Sequence, residues 1–453
     1  MAGMDGQALN SSSAIAVELD LVRDKLYLMQ QQAATLTNRI PERNSTLDVS
    51  SRLARIPIIA STGSTFGAVS IDGGPLGNGG GTSYAFGVLL PTYFCTACAI
   101  TEQAIVSTDE KSKSVEDVAK AEIDLNLKQH TTNMESLLCT SDGSGNIAAV
   151  TVTPTGVQPY LQLDVANNLS PKCTYQVLSA DHSVNRGNII VNTVGSVQNV
   201  VSLIINPSTG LYWPTGTVAG DVIVIYGVTG ATTQVYNQDY TTSATISESL
   251  NGIPTLNVTD PTNSTYWFGL PRSMYPYILD TPTVMASGAI TPPVIQEIES
   301  FMQRANDVSA LEDEDMFTMA NVGQVSQWES LGLVTTPNVN TQFVNSADKS
   351  GDTRIDVMKA KRVKTLAGWE LVANIKAKTE RIDWINPKHI FKVQTLPTKS
   401  FDVGGLTMFP AYASDGGVTT TMLYYFLTGE NYATDNPRAA GYITGLAEPA
   451  WSS

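Results

Sequence analysis

The residues that could do acid–base or nucleophilic chemistry are few and scattered. The three histidines, His130, His182 and His389, share no H-E-x-x-H or other paired ligand spacing. A general base has to stand against a nucleophile or a metal, so each histidine reads as a structural or surface residue. Cys95 and Cys98 form a C-x-x-C. Zinc would want a second such pair, which Cys139 and Cys173 do not make, and a redox dithiol would want a helix start after its first cysteine. The context YFCTACAI reads instead as a strand, where positions three apart face opposite sides. Buried free thiols are expected.

Gly73, Gly74, Gly77, Gly79, Gly80 and Gly81 invite a phosphate-loop reading, but no G-K-[ST] follows them. The acidic run Leu311 to Asp315 lacks the spacing and glycine of a calcium loop and reads as a solvated turn. Basic residues gather late, at Arg354, Lys359, Lys361, Arg362, Lys364, Lys376, Lys378 and Arg381. Without interleaved aromatics they suit an acidic neighbour at a subunit contact better than single-stranded nucleic acid. The expectation is a chain with no catalytic, metal or cofactor site, and not an enzyme.

The elements that carry these residues can be read in order. Residues 1–13 are small and polar. Ile15, Leu19, Val22, Leu26, Met29, Ala33 and Leu36 then step alternately by four and three, a heptad seam on a helix capped by Ser13. Strand-like runs at Ile56–Ala60, Tyr84–Leu90 and Phe94–Ile105 flank the glycine cluster, which reads as the tip of a long β-hairpin. A helix is predicted over 114–138. Ser114 and Asp117 form its capping box, and Val115, Ala119, Ile123, Leu127, His130, Met134 and Leu137 mark one face. It stops at SDGSG (Ser141 to Gly145). Residues 146–250 alternate as strands and turns. Pro292 and Pro293 open a helix with Ile295, Ile298 and Met302 inward, and residues 381–453 return to strands.

Composition points to a protein that faces protein. At 453 residues the chain suggests two or three packed units. Charged residues are 15%, against about 25% in an ordinary soluble domain. The net charge is 27 − 42 = −15, which argues against a nucleic-acid reader. Four cysteines are no disulfide framework, and no secretion signal or membrane span is evident.

Several stretches, taken in order, resemble the major capsid protein family of tailed bacteriophages, with the Hong Kong 97 fold. They are LLCTSDGSGNIAAV (Leu137 to Val150), SLNGIPTLNVTDPTNSTYWFGLPRSMYPYI (Ser249 to Ile278), WINPKHIFKVQ (Trp384 to Gln394) with VGGLTMFP (Val403 to Pro410), and NPRAAGYITGL (Asn436 to Leu446). The second departs from the family's pattern in carrying Phe268 before Gly269.

The resemblance implies an α+β, Hong Kong 97-like capsid fold. Residues 1–50 would be an N-terminal arm and 51–110 an extended loop. Residues 111–250 would be a peripheral domain with a long spine helix and a β-rich insertion, 251–400 an axial domain, and 401–453 strands completing the core. The implied function is a self-assembling icosahedral shell of pentamers and hexamers around double-stranded DNA, built in the host cytoplasm. Implied partners are a separate scaffolding protein, a portal, an optional decoration protein and packaged DNA, with no membrane. Candidate assembly contacts are Ile15, Leu19, Val22, Leu26 and Met29 on the arm, Gly73, Gly77 and Gly79 at the hairpin tip, and Arg354, Lys361, Arg362 and Lys364 in the basic strip. The alternatives are an encapsulin-like compartment shell, or a β-rich surface or carbohydrate-binding protein.

Overall fold

A computed structural model describes residues 36–43, 48–49, 54–61, 80–101, 118–143, 145–155, 158–195, 199–226, 233–236, 242–246, 249–259, 266–274, 279–305, 315–335, 365–366, 369–402, 408–412 and 418–447. Two compact units are present. Unit 1 comprises residues 1–256, 262–276 and 391–435, and unit 2 comprises 257–261, 277–390 and 436–453.

The described part of unit 1 starts with a turn at residues 36–40, followed by β1 (Asp48–Val49), β2 (Ala54–Ser61) and β3 (Ser83–Leu89), which form an antiparallel sheet in that order. The β2–β3 ladder runs from Ala54↔Leu89 to Ser61↔Ser83 with a register shift between Ile59 and Ser61, so the two expected hairpin arms do pair. The tip between them lies outside the described residues. β4 (Thr92–Thr101), read from sequence beside these arms, pairs elsewhere. The helix α1 (Val118–Thr140) follows, and its proposed capping box also lies outside the described residues. The SDGSG segment ends it as expected. Gly143 and Gly145 take φ of 93° and 84°, a left-handed backbone that glycine adopts without steric cost.

The strand-rich stretch is a small barrel. β5 (Asn146–Ala149), β6 (Tyr160–Gln162), β7 (Thr174–Leu178), β8 (Asn185–Val194), β9 (Val200–Ile204) and β10 (Val222–Ile225) pair in the order β5-β10-β7-β8-β9-β6. The two outer strands then meet just past their ends. Thr151 N–H donates to the Gln162 carbonyl at 3.0 Å, Asp164 N–H donates to the Ala149 carbonyl at 3.0 Å, and Val150 bridges Leu163. Closure removes the exposed edges an open sheet would present. Leu161, Leu163, Val177, Ile189, Val191, Val201, Leu203 and Ile223 are buried in it. β11 (Thr233–Tyr236) and β12 (Thr242–Ile246) form a separate hairpin, followed by the one-turn helix α2 (Ile253–Leu256). β13 (Tyr266–Trp267) and β14 (Leu270–Pro271) form a tight hairpin.

Unit 2 contains β15 (Thr283–Gly288), α3 (Pro292–Ala305), β16 (Phe317–Ala320), α4 (Val322–Thr335), β17 (Thr365–Leu366), β18 (Trp369–Ala373) and β19 (Ile382–Ile385). The chain returns to unit 1 along β20 (Ile390–Ser400), β21 (Met408–Tyr412) and β22 (Val418–Thr434), then ends in unit 2 with β23 (Gly441–Leu446). The unit 2 sheet runs β15-β23-β19-β16-β18-β17, mixing parallel and antiparallel pairs. Its core gathers Trp384, Ile382, Ile443 and Leu446 with Ile295, Ile298 and Met302 of α3. These are the three residues whose helical spacing marked them as inward. In unit 1, β22 pairs β21 on one side and β4 on the other, from Thr92↔Glu430 to Thr101↔Thr421.

Candidate assembly surface and the junctions behind it

The β2–β3 hairpin has two unlike faces because its residues alternate. Ala54, Ile56, Ile58, Ala85 and Leu89 are buried. Pro57, Ile59, Tyr84 and Phe86 point the other way, and the last three are 58%, 64% and 47% exposed. Pro57 stands opposite Phe86 and Ile59 opposite Tyr84, so the outer face is an apolar ladder two cross-strand pairs long. An exposed apolar ladder of this kind marks a contact surface more than a solvated one.

The inner face is pinned by the β13–β14 hairpin. Val88 N–H donates to the Phe268 carbonyl at 2.7 Å, and a Cβ on Gly87 would lie 3.0 Å from the Phe268 Cβ. Phe268 and Gly269 both take positive φ, 46° and 83°. Two-residue hairpin turns require that, and it is costly for a bulky residue. Phe268 therefore sits strained at this junction, its ring edge-on to Trp267 with centroids 4.8 Å apart.

Behind the hairpin, α1 is tied to its surroundings by polar side chains. His130 lies between β4 and β22, Nδ1 at 2.8 Å from Thr96 Oγ1 and Nε2 at 2.8 Å from Thr428 Oγ1. Asn126 donates to Cys98 Sγ, Gln129 to Cys173 Sγ, and Ser170 Oγ to Asn133 Oδ1. Leu127, read as part of the buried face, is 37% exposed. The helix is enclosed on most sides only near its C-terminal end, where Met134 to Thr140 are all buried. Asn431 is a second hub. Its Nδ2 donates to the Leu90 carbonyl at 2.7 Å, while its Oδ1 accepts from Asn251 N–H at 2.9 Å and Tyr432 N–H at 2.8 Å. One buried amide thus fastens β22 to the β3–β4 connection and to the loop before α2.

Burial pushes the His130 imidazole down to about 4. An unfolded chain with an ordinary histidine near 6.5 therefore binds the proton first as pH falls. The stabilisation from neutral His130 is complete above about 6.5 and is lost as pH falls toward 4, a total of about 3 kcal/mol. Buried Glu430, whose carboxyl is pushed up by desolvation, has the opposite slope. Comparison with His130→Asn isolates the histidine. Thermal melts from pH 7 to 4 should fall more steeply for the parent chain than for the variant, and equal slopes would remove this role.

The residues with chemical potential are not brought together. His182 and His389 occupy separate turns. Cys95 and Cys98 lie on opposite faces of β4 as expected of a strand. Cys98 and Cys139 are buried, Cys173 is half-buried and Cys95 is exposed, which corrects the expectation of buried thiols at that position. Strand alternation puts Cys95 on the face away from α1. Among the described residues no group of three or more His, Cys, Asp or Glu could hold a metal ion.

All twelve candidate assembly contacts (Ile15, Leu19, Val22, Leu26, Met29, Gly73, Gly77, Gly79, Arg354, Lys361, Arg362 and Lys364) lie outside the described residues. At the described end of the basic strip, Lys376 is buried. Arg381 spends its charge inside unit 2. It pairs with Asp383 at 2.7 Å, donates to the Asn257 carbonyl at 2.7 Å and stacks 4.0 Å over the Tyr442 ring.

No protein-family model and no curated protein sequence matches the chain. Among solved structures it is similar to a chain of the Cyanophage A-1(L) capsid asymmetric unit, at 10% identity and a TM-score of 0.51, covering 94% of this chain and 96% of that one. It is also similar to a chain from Mycobacterium phage Che8, at 9% identity, 93% and 94% coverage and a TM-score of 0.40. A third similarity is to a chain of an encapsulin complex from Synechococcus elongatus, at 8% identity, 95% and 95% coverage and a TM-score of 0.42. The first of these establishes the fold: an α+β architecture shared, end to end, with a capsid chain.

Proposed function

We propose that the chain is the major capsid protein of a tailed bacteriophage, a non-enzymatic subunit that assembles into an icosahedral shell around double-stranded DNA. The observation that carries this reading is the hairpin's exposed apolar ladder, Pro57–Phe86 and Ile59–Tyr84, on a capsid-type fold. A subunit that tiles a shell must reach beyond its own core and bury surface on identical neighbours. A hairpin with one apolar face left exposed can do this at a small cost in chain. Unit 1, with its α1 spine and barrel, would serve as the peripheral domain with its insertion, and unit 2 as the axial domain. The net charge of −15 suits a container that must not grip the phosphates it holds. A separate scaffolding protein, a portal and an optional decoration protein are partners of the same reading, with assembly in the host cytoplasm and residence in the virion.

Negative-stain microscopy of the purified chain, alone or with its scaffold, tests the proposal. Closed particles are expected, and a stable monodisperse monomer at micromolar concentration would overturn it. Nuclease-protected nucleic acid in native particles supports the phage reading, whereas a cargo enzyme there would favour a compartment shell. Those particles should also dissociate fully on a reducing, denaturing gel. The resemblance brings with it, for some relatives, an isopeptide lock made from a lysine amine on the hairpin, and no lysine occurs from Leu53 to Glu110. A ladder of multimers surviving boiling would contradict that.

A further inference from the structure

The barrel of unit 1 has two unlike ends. Near α1, β5 begins just after the helix, and the β6–β7 connection is bonded to it by Gln129 to Cys173 Sγ at 2.7 Å and by Ser170 Oγ to Asn133 Oδ1 at 2.8 Å. Antiparallel pairing carries β5, β7 and β9 away from that end and β6, β8 and β10 back toward it. The far end therefore gathers the β5–β6, β7–β8 and β9–β10 connections. These are fastened to one another. Gly220 N–H donates to the Val150 carbonyl at 2.8 Å and Ala219 N–H to Thr153 Oγ1 at 2.9 Å. Arg186, at the start of β8, pairs with Asp221 at 2.6 Å, and Asp221 accepts from Val218 N–H at 2.8 Å. The far end is a braced surface. It is also apolar. Val152, Tyr160, Val184, Ile205, Leu211 and Val218 all lie in or beside these connections, each between 42% and 52% exposed.

We propose that this far end is a docking surface for a second copy of the chain, the same end of each barrel meeting about a two-fold axis. Area and charge both select that occupant. A stable interface buries about 800 Å² per partner, a little over half of it apolar, which is roughly 450 Å² of apolar surface a side. Six large apolar side chains, each about half open, supply an area of that order. The chain carries a net charge of −15, so copies repel one another, and they meet most readily where acid is scarce. Residues 145–226 hold two bases and three acids, 2 − 3 = −1. Beside His182, the charged residues at the far end are Asp181, Arg186 and Asp221. Arg186 and buried Asp221 neutralise each other, and Asp181 accepts from the Ser179 and Ser183 hydroxyls. A solvated surface carries about a quarter to a third charged residues, far more than this end does. A two-fold contact needs only one self-complementary patch, which an uncharged apolar surface provides. The contact stands on the barrel alone and goes beyond the shell reading. In a shell it would be separate from the hairpin ladder.

Analytical ultracentrifugation of the unassembled fraction of the full-length chain tests it. The parent should sediment as a dimer at micromolar concentration. Ile205→Glu with Leu211→Glu places acids on both sides of the contact and should give monomer with an unchanged circular dichroism spectrum. Tyr226→Ser, at an exposed position on the α1 end of the same barrel, should stay dimeric. So should Ile59→Asp with Tyr84→Lys, which alters only the hairpin. If the double glutamate variant fails to fold, Leu211→Ser reads the same contact and should weaken the dimer about tenfold. A monomeric parent would overturn the proposal. So would a dimer that resists both Leu211 variants, or one that the hairpin change dissolves. Particles above a monomeric soluble fraction would remove this contact and keep the shell, whereas dimers without particles would keep the contact and remove the shell.

Discussion

A chain carrying Ile59→Asp together with Tyr84→Lys is expected to fold normally and to form no closed particles. The two positions face each other across the β2–β3 ladder, both more than half exposed. In the free chain the change replaces two solvent-facing apolar side chains with an opposite-charge cross-strand pair, which supports the hairpin. The effect on stability should stay within about 0.5 kcal/mol per site. In a shell the same surface would be covered by a neighbour. Removing apolar area from that interface costs about 25 cal/mol per Å², and taking the new charge pair out of water costs several kcal/mol of desolvation, which their mutual attraction does not fully repay. A shell repeats the same interface at every subunit, so the effect should be all or nothing. Circular dichroism and melting temperature should match the parent, while particle yield by sedimentation falls to background. Normal particle yield would show that this ladder is not an assembly contact.

What sequence alone could establish tracks how local the determining interactions are. The helix α3 was legible because Pro292 and Pro293 set its start and because Ile295, Ile298 and Met302 repeat at helical spacing. The hairpin arms were legible because alternation in ARIPIIAS and SYAFGVL needs no distant partner to be recognised. β4 illustrates the opposite case. Its alternation identifies a strand but not its neighbour, and it pairs with β22, which follows more than three hundred residues later along the chain. Barrel closure likewise depends on Val150 meeting Leu163, a contact no periodicity encodes. Polar junctions were the hardest to see. Glu135 reads in sequence as one more helix carboxylate, and two of its three donors, the N–H groups of Leu36 and Thr37, are main chain and leave no signature in residue type. Asn431 in GENYATD is equally unmarked. The arm, tip and basic-strip contacts fall outside the described residues, and the hairpin's exposed ladder is a surface the sequence did not single out.

The second large effect is expected at Gly252, in the stretch from Ser249 to Ile278. A Cβ built at this position would lie 2.5 Å from the Ser141 carbonyl oxygen, 2.7 Å from that of Leu137 and 2.9 Å from that of Leu138. Every one of these atoms is main chain at the C-terminal end of α1, so no side-chain rotation relieves the overlap. The neighbouring bonds leave no slack for the loop to withdraw. Ser141 Oγ donates to the Leu250 carbonyl at 2.8 Å, Asn251 N–H donates to Asn431 at 2.9 Å, and Thr255 and Leu256 N–H both return to the Gly252 carbonyl. Relief must therefore come from lifting α2 off the helix end, which exposes fully buried Leu250, Ile253 and Leu256. Overpacking costs about 1–3 kcal/mol where a core can yield. Losing the burial of even one of these three side chains adds about 1.5–3 kcal/mol. The sum approaches the whole stability of an ordinary domain, about 5–15 kcal/mol. Gly252→Ala should therefore give mostly insoluble chain or a melting transition lowered by ten degrees or more (on the order of 2–4 °C per kcal/mol for a unit of this size). Gly81→Ala, where nothing lies within 4 Å of the added Cβ, serves as the control and should behave as the parent. Soluble Gly252→Ala with an unshifted melt would mean that the helix end and the loop are not in the close contact described.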